Sequence, residues 1–354
     1  MTQPHVGRPL TMHLGHTWAR RALAASLLAL AAAGLSGCSP VAQPAQGADA
    51  WQPVGGALAV ATAAPAAQPE PEGSSVEALA PPVAVVPRVA APSAVVANLD
   101  TGEVLFAKRA DDPRPIASLT KIMTAMIVIE ATRPTDVVTA SKLAASQEPT
   151  KLGLRPGQRM HVDDLLYALM LHSSNDVAVA LAEHVSDSVR SFDALMTQRA
   201  AAIGLTDTRF ASPSGLNDHG YSTARDVAAM TRWAYMSPTF AEVVATRWYS
   251  VRMPGKVDVR LRNLNNLLFD YPGAIGVKTG YTSRSHWSLV GVAERGTTRL
   301  MVVLLGDRDK PFHDGTRLLN WGFRVVRSTA PHAEPASARR DRYPFDLLHR
   351  VRVG

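Results

Sequence analysis

Arg114-Pro115-Ile116-Ala117-Ser118-Leu119-Thr120-Lys121-Ile122-Met123-Thr124-Ala125 is the stretch on which the reading of this chain turns. Pro113 and Pro115 stop any helix upstream, and the apolar run Ile122 to Ile129 starts one downstream. Ser118 therefore stands at a helix start, with Lys121 one turn deeper on the same face. A serine hydroxyl is a weak nucleophile until a base lies beside it. Burial and a second cation nearby would keep a lysine amine neutral and able to take the proton. The helix start would also aim the Ser118 N–H and the positive helix end at a developing oxyanion. Alone, the same residues more often mean an N-cap serine followed by an exposed lysine.

Two further polar interruptions follow in fixed order. Asp163 to Leu171 reads as an apolar helix, His172-Ser173-Ser174-Asn175 breaks it, and a second helix runs from Asp176 to Val185. Polar groups squeezed between buried helices need partners or they cost stability. Ser173 either caps the second helix, or faces Ser118 and relays a leaving-group proton while Asn175 donates to a substrate backbone. Further on, Ile275-Gly276-Val277-Lys278-Thr279-Gly280-Tyr281 reads as a strand, followed by strands His286 to Ala293 and Arg299 to Leu305. Short links between the three predict an antiparallel meander. Alternation puts Lys278 and Gly280 on one face, where the glycine admits a substrate backbone and the lysine offers a cation to a carboxylate. A lysine that guards an edge strand against aggregation has the same pattern.

Ser118-Leu119-Thr120-Lys121, Ser173-Ser174-Asn175 and Lys278-Thr279-Gly280, in that order, resemble the three-part signature of the penicillin-recognising serine enzymes. The chain is similar to the low-molecular-mass penicillin-binding proteins, the D-alanyl-D-alanine carboxypeptidases and endopeptidases, over about residues 92–326. Phe210-Ala211-Ser212-Pro213-Ser214-Gly215-Leu216, Ser222-Thr223-Ala224-Arg225-Asp226, Arg262-Asn263-Leu264-Asn265-Asn266-Leu267 and Leu318-Leu319-Asn320-Trp321-Gly322-Phe323 are further landmarks of that likeness. The resemblance implies an α/β (α+β) fold of the β-lactamase/transpeptidase type. Its antiparallel sheet would be built from both ends of the domain, with a helical region between. It implies Ser118 as acylated nucleophile, Lys121 as its base, and Ser173 and Asn175 as proton relay and substrate clamp. Lys278 and Thr279 would bind the terminal carboxylate beside Gly280, and the backbone N–H groups of Ser118 and Tyr281 would form the oxyanion hole. Peptidoglycan stem peptides would be the substrates and β-lactams the inhibitors, with no cofactor. Ser174 departs from the glycine frequent at that place in the family. No additional carboxylate-binding arginine is assigned; Arg308 and Arg317 read as solvated or structural.

The N-terminal region has its own signature. Arg20-Arg21 precede the apolar run Ala22 to Gly34, which is too short to span a bilayer, and Leu35-Ser36-Gly37-Cys38 closes it. That box resembles the bacterial lipoprotein processing site, and Cys38 is the chain's sole cysteine, for which no intrachain disulfide is possible. The expected division is a lipoprotein signal peptide over 1–38, an Ala/Pro-rich tether over 39–90, a catalytic domain over 91–326 and a basic tail over 327–354. A flexible tether of that length spans roughly 40 Å. The expected place is the periplasmic face, lipid-anchored, with Ser39 after the cysteine giving an outer-membrane address. Composition adds less. The formal charge is +7. Part of it lies in the tail, where six arginines meet Glu334, Asp341 and Asp346, a net of +3. No phosphate loop, nucleic-acid motif, H-E-x-x-H spacing or internal repeat is present, so neither a metal nor a nucleic acid is expected.

Two other functions share parts of this pattern. A serine β-lactamase has the same three motifs but needs a glutamate in an E-x-x-x-N loop to activate the deacylating water. Between Asn175 and Lys278 stand Glu183, on the helix after the motif, and Glu242, whose continuation Val243-Val244-Ala245-Thr246 lacks the asparagine. A non-enzymatic cell-wall-binding lipoprotein would have no need of intact Ser118, Lys121, Ser173, Asn175 and Lys278.

Overall fold

The computed structural model describes residues 85–217, 219–255 and 258–329. The signal peptide, Cys38, nearly all of the tether and most of the basic tail lie outside the described residues. In chain order, β1 (Ser93–Asn98) and β2 (Val104–Lys108) come first. A 3-10 turn, Ala117–Thr120, then feeds α1 (Lys121–Ala131). β3 (Val137–Thr139), α2 (Lys142–Ala145) and β4 (Arg159–His161) follow. The helical region continues with α3 (Val162–Leu171), α4 (Asn175–Ser186), α5 (Val189–Ala202), α6 (Ala224–Ala234) and α7 (Pro238–Ala245). The chain then forms β5 (Trp248–Val251), β6 (Val259–Arg262) and α8 (Leu267–Asp270). It closes with β7 (Ala274–Thr282), β8 (His286–Arg295), β9 (Thr298–Asp307) and α9 (Pro311–Thr329).

Local chemistry sets several of these boundaries. Ser188, Thr223 and Ser237 each accept a backbone N–H three residues on, so α5, α6 and α7 begin on capped turns. Pro238 opens α7, where its missing N–H costs nothing.

The five-stranded sheet has the order β2-β1-β9-β8-β7 and is antiparallel throughout. The first strands of the domain thus pair with its last, and the helical region is inserted between them. β3 pairs with β4 and β5 with β6 in two small satellite ribbons. β7 ends the sheet, so one of its edges is left to face other parts of the molecule.

Both faces of the sheet are covered, which explains why β9 reads as an unbroken apolar run instead of alternating with polar residues. Met301, Val303 and Leu305 join a core with Val95, Val277, Val290 and helices α1, α3, α4 and α6. Leu300, Val302 and Leu304 turn the other way, onto Val96, Leu289 and the Leu318, Leu319, Trp321 and Phe323 face of α9. The final helix is longer than the Gly315 to Phe323 expected from the sequence. Pro311 pre-sets its first turn, and Val325 and Val326 keep packing on the sheet after Phe323.

Candidate active site

The nucleophile segment differs from the sequence expectation in one respect: α1 starts at Lys121, and Ser118 lies in the 3-10 turn before it. Ala117, with φ of 46°, reverses the chain into that turn. A 3-10 turn has three residues per turn, so positions i and i+3 eclipse. Ser118 and Lys121 are therefore stacked more directly than in an α-helix, and Lys121 Nζ lies 2.9 Å from Ser118 Oγ.

Lys121 is wholly buried. Its Nζ also donates to Asn175 Oδ1 at 2.8 Å and to the Ser214 carbonyl at 2.8 Å. Those two oxygens can only accept, so they take two N–H bonds. The third tetrahedral direction of the nitrogen points at Ser118. It holds an N–H when the lysine is charged and a lone pair when it is neutral. Burial drives the Lys121 pKa well below the ordinary lysine range, the charge of Lys278 pushes the same way, and the Asp176 carboxylate opposes both. The environment thus favours the state in which the lone pair faces the hydroxyl.

The carbonyl of Ser214 is a contact that side-chain reasoning missed. The loop carrying it packs on the nucleophile segment through Thr124 Oγ1, which donates to the Pro213 carbonyl at 2.7 Å. Gly215 permits the approach, with φ of +76° and with the position of an added Cβ 1.9 Å from the Ala117 carbonyl oxygen. The available signal was the Ser212-Pro213-Ser214-Gly215 turn chemistry, which marks a loop but not what its carbonyls hold.

The second motif joins α3 to α4. Ser173 has φ of 64°, a left-handed turn that ends α3 and restarts the chain. The helix cap is Ser174, not Ser173, so the capping alternative for Ser173 does not describe this molecule. Ser173 is 5% exposed, and its carbonyl accepts from Thr150 Oγ1 at 3.0 Å. Asn175 binds in both senses: its Oδ1 accepts from Lys121, and its Nδ2 donates to the Glu148 carbonyl at 3.0 Å. One of its two amide hydrogens is therefore committed to the protein.

The third motif lies on β7, the sheet edge beside the nucleophile turn. Lys278 is 1% exposed, its Nζ donates to the Thr279 carbonyl at 2.9 Å, and burial lowers its pKa to about 7. Thr279 is buried beside it. At Gly280, which the sequence reading reserves for the approach of a substrate backbone, the chain's own nucleophile turn also comes close. An added Cβ there would lie 2.9 Å from Ser118 N and 3.2 Å from the Ile116 carbonyl oxygen. The backbone nitrogen of Ser118 consequently abuts β7 at Gly280, next to Tyr281. The Tyr281 ring is 55% exposed and leans on Trp287, with centroids 4.9 Å apart. Arg317 donates to the Arg88 carbonyl at 2.8 Å and ties α9 to the start of the domain. Arg308 is exposed and lines a cavity with Arg114, Arg284 and His286. Among the described residues no group of His, Cys, Asp and Glu could hold a metal ion.

The two glutamates between the second and third motifs lie on helices, outside any loop beside the nucleophile. Glu183 lies two turns along α4 from Asn175, and Glu242, on α7, accepts from Tyr167 OH at 3.3 Å. Neither stands in an E-x-x-x-N loop.

Comparison with known proteins now places the chain. DacF, a D-alanyl-D-alanine carboxypeptidase of Bacillus subtilis, is 36% identical over 222 residues, which are 61% of this chain and 57% of that protein. The chain thus spans little more than half of DacF. The D-alanyl-D-alanine endopeptidase of Escherichia coli is 30% identical over 243 residues, 66% of this chain and 78% of that one. The crystal structure of the Streptomyces K15 DD-transpeptidase matches with a TM-score of 0.65 at 33% identity, covering 68% of this chain and 99% of that one. The likeness to that structure carries the β-lactamase-like fold expected from the sequence. The model of the D-alanyl-D-alanine carboxypeptidase family, peptidase S11, matches residues 80–309, more than half of the chain, and the chain belongs to that family.

Proposed function

We propose that this protein is a serine D,D-peptidase of the bacterial cell wall. It acylates Ser118 with peptidoglycan stem peptides, releasing the terminal D-alanine, cutting D,D cross-links, or both, and it is acylated by penicillins. The observation that carries the reading is the three-way setting of Lys121 Nζ on Ser118 Oγ, Asn175 Oδ1 and the Ser214 carbonyl. Neutral Lys121 takes the Ser118 proton as Oγ attacks the carbonyl carbon of the penultimate D-alanine. The C–N bond then breaks, and the leaving amine receives a proton through Ser173. Water hydrolyses the ester and restores Ser118 Oγ–H. The backbone N–H groups of Ser118 and Tyr281 receive the oxyanion, Lys278 and Thr279 hold the substrate carboxylate, and Asn175 braces the base. A pentapeptide ending in D-Ala-D-Ala, incubated with wild type and Ser118→Ala, tests this. Free D-alanine should appear with wild type alone. Equal release by both proteins, or none by either from monomeric and cross-linked peptides, would contradict it.

The N-terminal region belongs to the same proposal. Leu35-Ser36-Gly37-Cys38 at the end of an apolar run supports lipidation of Cys38, with the mature chain starting there and held at the periplasmic face of the outer membrane. A tether of roughly 40 Å would then let the catalytic domain sweep a nearby polymer.

A further inference from the structure

We propose that Asp176 is a positioning residue for the acylation step, acting through the 148–154 segment and Asn175 on Lys121; this rests on the D,D-peptidase reading above. Asp176 follows the second motif directly and is fully buried in the first turn of α4. Its carboxylate accepts four backbone N–H groups. Oδ1 takes those of Leu152 and Val177, both at 2.9 Å, and Oδ2 takes those of Gly153 and Leu154 at 2.8 and 2.9 Å. One side chain thus folds the 152–154 backbone over the start of α4.

That segment holds the catalytic motif in return. The Thr150 carbonyl accepts from Asn175 N at 2.7 Å, and Thr150 Oγ1 donates to the Ser173 carbonyl at 3.0 Å. The Glu148 carbonyl accepts from Asn175 Nδ2 at 3.0 Å, which turns Asn175 Oδ1 toward Lys121 Nζ at 2.8 Å. The chain of bonds therefore runs from Asp176 through the loop to the amide that orients the base. A neutral side chain could cap a helix as well as Asp176 does. It could not accept four N–H groups at once and also set a negative charge against the buried Lys121.

The charge has a second consequence. Of the groups around Lys121, Lys278 on β7 disfavours its protonation, whereas Asp176 on α4 favours it. His172, between α3 and α4, feels the same two charges. Glu148 and Lys151, on the braced segment, have exposed side chains. Removing the Asp176 charge makes Lys121 lose its proton at lower pH, so the acidic limb of acylation moves down. Loosening the loop misplaces the base, and a misplacement of about 1 Å costs roughly 100-fold in rate.

The test is the rate of benzylpenicillin acylation against pH for wild type, Asp176→Asn and Thr150→Val, with thermal unfolding of each. Asp176→Asn keeps the shape but turns an N–H₂ group toward N–H donors. It should fold, acylate roughly 10- to 100-fold more slowly, and show the acidic limb displaced to lower pH. Thr150→Val loosens the same brace without touching charge, so it should slow acylation and leave the limb in place. Should Asp176→Asn fail to fold, Thr150→Val alone reads the brace. A wild-type rate and limb in the folded Asp176→Asn, a loss that merely tracks its unfolded fraction, or a wild-type rate in Thr150→Val, would overturn the proposal. Failure of wild type itself to acylate would overturn the peptidase reading and this inference with it.

Discussion

Lys121 shows how a residue's role is set by what surrounds it more than by what it is. Its amine serves as the base because burial and the charge of Lys278 disfavour its protonation, while Asn175 and Ser214 fix the direction of its lone pair. Lys121→Arg keeps the cation but cannot give it up, since a guanidinium stays protonated. That variant should fold and form no acyl-enzyme within the time wild type is fully acylated, as read by intact mass; near-wild-type acylation would assign the base elsewhere. Lys278 makes a prediction of opposite sign. Burial lowers its pKa to about 7, so it is charged below that pH and neutral above it. Affinity for a ligand with a free C-terminal carboxylate should fall as pH rises through about 7, whereas the C-terminal amide should show no such fall. Lys278→Ala should abolish the preference for the acid, costing on the order of 2–5 kcal/mol, as truncating one partner of a buried charge pair does. At this scale the side chains of the site were legible, because nucleophile, base and carboxylate-binding cation must be particular residue types. The carbonyls of Ser214 and Glu148 were not, because every residue has a carbonyl and only the fold selects which one meets Lys121 or Asn175.

At the scale of elements, the site is a seam between an edge strand, a 3-10 turn and a helix–helix junction. β7 packs closely against the nucleophile turn, where Gly280 leaves just enough room for Ser118 N. Gly280→Ala should displace the nucleophile and lose activity, with a stability cost of about 1–3 kcal/mol from overpacking. Gly215→Ala should unfold at still lower denaturant, since it adds a disfavoured backbone angle to a clash with the Ala117 carbonyl. Urea unfolding with acylation measured in parallel would separate the two; wild-type behaviour in both variants would contradict the packing described. The meander β7–β8–β9 and helices α1, α3 and α4 were readable because each repeats its period over several residues. The 3-10 geometry at Ser118 was not, since Ala117 looks like any helix former and enters its left-handed turn only under tertiary constraint. The ribbons β3–β4 and β5–β6 escaped for a related reason: strands of three or four residues are too short to show a period.

At the scale of the whole molecule, a catalytic domain built from both ends of its own sheet follows an N-terminal stretch that reads as export signal, lipid site and tether. The proposal divides labour accordingly: residues 1–90 decide where the enzyme works, and the domain decides what it does. Wild type should sediment with membranes and be released by detergent, whereas Cys38→Ala should be soluble or unprocessed, with penicillin labelling unchanged in both. A freely soluble wild type would remove the anchor and leave the peptidase standing. Stable anchoring also requires more than one acyl chain, because a single chain binds membranes only marginally. The account as a whole stands on Ser118 as a nucleophile that the fold activates, and intact-mass spectrometry before and after benzylpenicillin tests that most directly. Wild type should gain the mass of one penicilloyl group while Ser118→Ala gains none; an adduct of equal yield on Ser118→Ala, or no adduct on wild type, would contradict it.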